Sequence, residues 1–295
     1  MAHALLTPGN ILPSHGKLAM RDGDYIYALE RRNGQPTYTV TNGADTLAIP
    51  IRWAFGAKSQ TYVLEHGGRL YESRVSYYQA IDGLDITMGD QAIRPHNLVE
   101  AMGRELSAGE ARACFDCHAT RAIADDRIQT ESLIAGIQCE HCHVGAEAHA
   151  EAISHGNTKV IPPSLAKLTA EDASNFCGRC HRSWSEVVRN RLFGPVNVRF
   201  QPYRLENSKC FDGSDARISC FACHDPHREV VRDVKSYDAN CQACHAGKKA
   251  GAKACPVSSS GCVTCHMPKT ELAGAHQVFT DHFIRVTKPN EPYPE

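Results

Sequence analysis

The chain has 295 residues, 42% apolar and only 7% aromatic, with 32 basic against 33 acidic side chains and a formal charge of −1. That length suits one large domain or two, and the absence of a basic run excludes a nucleic-acid binder of the usual kind. No apolar stretch approaches the roughly 18 residues of a membrane-crossing helix.

Residues 1–22 read as an N-terminal arm, a short helix or extended, carrying His3 and His15. Residues 23–96 read as a β-rich subdomain without cysteine. Tyr25–Leu29, Thr37–Val40, Thr46–Ile51, Thr61–Leu64 and Leu70–Tyr78 are rich in β-branched and aromatic residues, separated by Asn33-Gly34, Asn42-Gly43 and Gly67-Gly68. This pattern predicts an antiparallel meander of about five strands that supports whatever lies beyond it. Residues 97–106 look helical. Ser107 with Glu110 makes a capping box for the next helix, Thr169 with Asp172 opens another, and Asp238 suits the cap of a third. Pro162-Pro163, Gly194-Pro195 and Asp212-Gly213 interrupt the later chain.

Those later helices share one pentapeptide. Cys-x-x-Cys-His occurs six times: at Cys114, Cys117 and His118; Cys139, Cys142 and His143; Cys177, Cys180 and His181; Cys220, Cys223 and His224; Cys241, Cys244 and His245; and Cys262, Cys265 and His266. This is the attachment signature of c-type haem. Two cysteines three apart, with histidine four after the first, share one face of a helical turn. The thiols can bond one porphyrin edge while the imidazole reaches the iron. Zinc sites and thioredoxin-like pairs also use Cys-x-x-Cys, but neither needs a histidine after every pair. The first cysteines lie 25, 38, 43, 21 and 21 residues apart. The short intervals make close neighbours of the last three groups, and no strict repeat appears.

Six haem c groups change the expected architecture. Each is a large flat apolar body, so the porphyrins take over the role of the missing aromatic core. The fold class expected is α+β with little regular structure: the β meander, then a mainly helical and loop multihaem region over residues 97–288 with a core of stacked haems, then a tail, 289–295. Covalent attachment takes place outside the cytoplasmic membrane, so a periplasmic or extracellular location is expected. Met1-Ala-His-Ala-Leu-Leu-Thr-Pro shows no signal peptide, and the sequence reads as a mature or truncated form.

Six of the 16 histidines are proximal, which leaves His3, His15, His66, His96, His141, His149, His155, His227, His276 and His282. The supply covers bis-histidine ligation of every iron. Met267, directly after His266, makes methionine ligation a minor option.

The segments Gly136–His143 with His149, Cys220–His227, and Cys262–Lys269 with His276 and Phe279–Arg285 resemble a family of bacterial multihaem cytochromes c. It is related to the cytochrome c-554 and hydroxylamine oxidoreductase-like group and is often fused to tetratricopeptide repeats. Leu70–Tyr78 is similar to that family's β region. The resemblance implies a bis-histidine electron carrier. It implies His149, His227, His276 and His282 as distal ligands; among the remaining histidines His15 and His3 rank next, and His96, beside Pro95, after them. His66 and His155 read as solvent-facing, and His141 lies inside a motif. Family members usually carry a further Cys-x-x-Cys-His before the stretch that looks like Met1–Leu5, and it is absent here.

Cys210 and Cys255 fall outside every motif. In an exported protein an even remainder suggests a disulfide between them. The function expected is electron transfer along a row of haems between a donor and an acceptor redox protein, with a homopolymeric extracellular wire as one form of it. The alternative is a multihaem oxidoreductase with one open haem, acting on a small nitrogen or sulfur compound. No Cys-x-x-Cys-Lys motif is present, and the spare histidines favour the carrier.

Overall fold

A computed structural model describes residues 1–11, 16–246, 255–288 and 291–295. Contacts divide the chain into two units: Met1–Pro163 with Ala273–His276, and Ser164–Leu272 with Gln277–Glu295. The fold class is α+β, as expected, with the antiparallel strands first and the helices and loops after them.

The first unit opens with β1 (Leu5–Leu6), β2 (Lys17–Asp22), β3 (Tyr25–Arg32), β4 (Gln35–Thr41), β5 (Thr46–Pro50), β6 (Trp53–Phe55), β7 (Ser59–His66), β8 (Arg69–Ser73), β9 (Val75–Tyr78) and β10 (Gly83–Ile86). Strands β2–β3–β4–β5 form one four-stranded antiparallel sheet, and β1–β6–β7–β8 belong to a seven-stranded sheet in which β7 also pairs β9 and β9 pairs β10. The predicted meander is therefore real but longer. Residues read as an arm contribute β1 and β2, and the short strand β6 lies beyond the predicted run Thr46–Ile51. Tyr27, Leu29, Tyr38, Val40, Ile49, Tyr62, Leu64, Tyr71 and Val75 from the two sheets form one buried core.

The run Leu70–Tyr78 was expected to be one strand and is two. Opposite β7 the register changes from Val63↔Glu72 to Gln60↔Tyr77, so extra residues are inserted at Ser73-Arg74 as in a bulge. The Ser73 hydroxyl repairs the ladder: it accepts from the Tyr62 amide at 3.0 Å and donates to the Val75 carbonyl at 2.9 Å. Arg74 turns into the core, 1% exposed. Its guanidinium donates to Asp22 at 2.6 and 3.1 Å and to the carbonyls of Asp90 and Ile93.

Next come α1 (Leu98–Met102), β11 (Gly103–Glu105) and α2 (Ala108–His118). The predicted helix 97–106 is cut short because Gly103 pairs with Ser73 in β8. A Cβ at Gly103 would stand 2.0 Å from the Glu72 carbonyl oxygen, so only glycine fits. Four two-residue strands follow: β12 (Ala119–Thr120), β13 (Ile123–Ala124), β14 (Arg127–Ile128) and β15 (Ile134–Ala135). With α3 (Cys139–Cys142) and α4 (Ala146–Ser154) they complete the unit's main segment.

The second unit holds α5 (Ala170–His181), α6 (Trp184–Arg189), α7 (Gln201–Glu206), α8 (Cys220–Cys223), α9 (Asp238–His245), α10 (Cys262–His266) and the hairpin strands β16 (Lys269–Leu272) and β17 (Gln277–Thr280). Among the described residues its buried apolar cluster is only Val187, Phe200 and Tyr203, with Leu192 against it. Four of the six motifs lie here.

Arg74 gives the first prediction. Arg74 is buried but Asp22 is half-exposed to water, so removing Arg74 costs mainly the hydrogen bonds it gives to Asp22 and to the Asp90 and Ile93 carbonyls, about 2 kcal/mol. Arg74→Leu should lower unfolding stability by about that amount in denaturant titration, and a change below about 0.5 kcal/mol would refute the role assigned to the pair.

Candidate functional site

In all six motifs both cysteines lie in a helical turn. The helices α2, α5, α9 and α10 end on the motif histidine, while α3 and α8 stop one residue earlier with His143 and His224 as C-caps. Side chains at i, i+3 and i+4 then share a face. Local sequence explains the helix starts. Ser107 and Glu110 form a full capping box on α2, Thr169 accepts from the Asp172 amide on α5, and Ser219 accepts from the Ala222 amide on α8.

Asp238 departs from its predicted role. It is the first residue of α9, and its carboxylate instead accepts from the Gly261 and Cys262 amides at 2.8 and 2.9 Å. It thus caps α10, the helix of the last motif, which has no side-chain cap of its own. These two backbone donors hold its pKa down from 3.8 to about 2.

Three of the six motif histidines, His118, His143 and His266, face carbonyls from distant chain. His118 Nδ1 donates to the Ala4 carbonyl at 2.8 Å, and its ring meets Phe55 edge-on at 5.0 Å. Phe115, fully buried one turn earlier, packs edge-on against Trp53 and Phe55. The segment before β1 is held close: a Cβ at Gly136 (φ +75°) would stand 1.8 Å from the Ala2 carbonyl oxygen. His143 Nδ1 faces the Pro163 carbonyl at 3.3 Å, and Arg121 braces α3 and α4 through Glu140 and Glu147. His266 Nδ1 donates to the Arg285 carbonyl at 2.9 Å. A neutral imidazole that donates from Nδ1 carries its lone pair on Nε2, the state of a metal-binding histidine with its second hydrogen bond in place.

His224 and His282 face each other, ring centroids 6.2 Å apart and planes tilted by 45°. His282 Nδ1 donates to the Thr280 carbonyl at 3.0 Å. Burial, opposed by that carbonyl and reinforced by His224, pushes the His282 pKa down to about 4. Burial, with His181 nearby, lowers His224 too. His282 is thereby neutral at pH 7, the form that binds metal, and His224 is shifted in the same direction.

The segment carrying His282 is fixed by charge. Arg204 and Asp281, both fully buried, form a two-bonded pair at 2.8 Å, and Arg285 adds a third bond to Asp281 at 2.7 Å. Burial opposes the Asp281 charge, but Arg204 and the Phe283 amide outweigh it and hold the carboxyl below its ordinary range. Arg204 also donates to the Pro294 carbonyl and lies over the Tyr293 ring at 4.7 Å.

The thiols are neighbours too. The Cys220 thiol is hydrogen-bonded to Cys177, which lowers its pKa, and Cys262 is hydrogen-bonded to Cys241; burial first, with the Asp238 and Cys241 contacts adding to it, raises Cys262 to about 11. These four are the first cysteines of motifs three to six, standing where thioether sulfurs would stand in a loaded protein. Haem iron takes two axial ligands, and the donor set fits that need. Among the described residues no group of three or more His, Cys, Asp or Glu is gathered for a closed metal-ion site. The meagre apolar cluster of the second unit also suits porphyrins as its filling.

The other expected ligands are placed as follows. His149, on α4, donates from Nδ1 to the Val160 carbonyl. His276, with φ +48°, bonds Asp85 through Nε2 at 2.6 Å and packs edge-on against Tyr78 at 4.8 Å. His227 is exposed and bonds Asp225 of its own turn. His3 is exposed, and His15 lies outside the described residues. Cys210 and Cys255 are both free and exposed thiols. Sequence reasoning missed Arg204, Asp281 and Asp85. The aspartates beside His282 and opposite His276 carry no motif, and a backbone carbonyl has no sequence signal at all.

A helical turn that presents two cysteines and a following histidine is the arrangement by which c-type cytochromes attach haem. Residues 82–144 match the family model described as cytochrome c554 and c-prime, a stretch that contains the first two motifs. The match spans 63 of the 295 residues and supports a c-type cytochrome electron carrier with covalent haem c. No curated protein and no solved structure matches the chain. No helix among the described residues is long and apolar enough to cross a membrane.

The Asp238 cap yields a pH prediction. Its folded pKa of about 2 lies below the unfolded 3.8, so its stabilisation is full above about pH 4 and is lost as pH falls toward 2. The melting temperature of Asp238→Asn should therefore lie below that of the wild type at pH 7. The gap should close between about pH 4 and 2 in thermal circular dichroism; a gap that does not change with pH would remove the carboxylate from the cap.

Proposed function

We propose that this protein is a hexahaem c-type cytochrome that carries electrons along a row of bis-histidine haems between redox partners outside the cytoplasm. Residues 97–288 bear the haems at the six motifs. Bound haem supplies reversible one-electron chemistry at iron. The chain supplies spacing, ligands and exclusion of other chemistry.

The observation that carries the reading is the His224–His282 pair. Two imidazoles, each about 2 Å from one metal through a single nitrogen, have centroids about 6 Å apart; the pair stands at 6.2 Å. Thr280 orients His282, the Arg204–Asp281 pair holds its backbone, and burial keeps it neutral. A haem iron held by both His224 and His282 would have no open position for a substrate, which favours a carrier over an enzyme. The thiol contacts between motifs three and four and between five and six favour neighbouring haems in a continuous row. His149, His227, His276, His15 and His3 belong to the same proposal as distal ligands. For His276 the free choice is Nδ1, because Nε2 is bonded to Asp85. A Cys210–Cys255 bridge in the oxidised protein and a homopolymeric wire, with affinity to the hydroxylamine oxidoreductase-like group, are its finer extensions.

Two measurements test it. Haem content and low-temperature EPR of the oxidised protein should give six haems per chain, all low-spin. A native high-spin haem would instead point to the oxidoreductase, and small nitrogen oxides and hydroxylamine would be the substrates to try. In His282→Ala one haem of the six should become high-spin while the others keep their signals, and an unchanged spectrum would remove His282 from the ligand set.

A further inference from the structure

Arg199 ends the short turn Pro195–Arg199 of the second unit. Its Nε is buried and has no hydrogen-bond partner. Among the described residues its guanidinium makes no ion pair either, unlike the buried Arg74 and Arg204, which each have an aspartate. Its Cζ lies 5.7 Å from the ring centroid of its own neighbour, Phe200. The charge it feels is of its own sign. Burial first, and Arg182 second, push its pKa below the ordinary arginine value. Two residues on, Gln201 Oε1 is also buried and without a partner. A half-buried cation whose Nε is cut off from water and from any counter-charge is unfavourable, and an anion placed against it reduces the penalty.

The sequence neighbourhood narrows the anion. Arg182 directly follows His181, the histidine of the third motif, and is itself engaged by Glu186. A haem attached through Cys177 and Cys180 has its two propionates on the edge opposite the thioether bonds. A planar carboxylate matches the guanidinium fork, with two parallel N–H···O bonds. The Gln201 amide, turned to present its NH₂, adds a further donor.

We propose that Arg199, with Gln201 beside it, is the anchor for a propionate of the haem attached at Cys177 and Cys180. The inference rests on the haem-bearing reading above and adds to it a residue outside every attachment motif. Arg199 acts as a positioning and charge-compensating group, so its removal should change a potential rather than the spin state. An uncompensated propionate favours the ferric iron beside it.

The test is spectroelectrochemical titration of the holoprotein, with haem counted on every sample. In Arg199→Leu, and in Arg199→Gln should the first fail to load, one haem should titrate at lower potential. At fixed potential its reduced-to-oxidised ratio should fall at least tenfold, about 59 mV for a one-electron couple. Arg199→Lys should return it toward the wild type. In a Cys177→Ser, Cys180→Ser background, which lacks that haem, Arg199→Leu should leave the other potentials unchanged. The anchor is overturned if neutral substitution leaves every potential in place, shifts all of them together, or still shifts one in that background. Wild-type protein without covalent haem would overturn the electron-carrier reading and this one together, whereas loaded protein with unmoved potentials overturns the anchor alone.

Discussion

The pair formed by Arg204 and Asp281 is the interaction on which the second unit turns. Both side chains are fully buried, in a unit whose apolar cluster among the described residues is three side chains and a neighbour. Such a pair is not a cheap source of stability, since two desolvated charges roughly cancel their own attraction. What it supplies is position. Arg204 belongs to α7, Asp281 follows β17, and Arg204 also takes the Pro294 carbonyl near the C-terminus. Three segments distant in sequence are joined at one point. On one side of Asp281 stands His282. Four residues on, Arg285 bonds Asp281 with its guanidinium and His266 with its carbonyl. One polar node thus orients a motif histidine and a candidate distal one.

The first unit solves the same problem with apolar packing. Phe115 is locked between Trp53 and Phe55, and the last helical turn of α2 follows from that contact. The β layers, which look unrelated to haem chemistry in sequence, are what place the Ala4 carbonyl and the Phe55 ring against His118. The β region is therefore what positions the histidine of the first motif.

Much of this was legible beforehand. The attachment motifs, the capping boxes at Ser107 and Thr169, and the β character of residues 25–78 follow from local pattern, because each is a property of neighbours in sequence. What was not legible depends on distant partners. Leu70–Tyr78 reads as one strand until Arg74 finds Asp22 across the core. Residues 97–106 read as one helix until Gly103 meets β8. Asp238 reads as the cap of its own helix, yet the unsatisfied amides it serves belong to α10. In each case the local rule named the right kind of group and tertiary contact chose its partner.

The carbonyls that orient His118, His143 and His266 come from Ala4, Pro163 and Arg285. None of these lies within the motif it serves. A Cys-x-x-Cys-His turn can present two thiols by local helix geometry alone, but the direction of its imidazole is set only when remote chain has docked. Thiol attachment is thus a local event, and correct axial ligation is a property of the folded unit. Because bound metal stabilises only the state in which its ligands converge, ligation by histidines oriented in this way stabilises the docking that orients them. For the second unit, with so little apolar core of its own, that reciprocal dependence would make a bound porphyrin a structural element as much as a redox one.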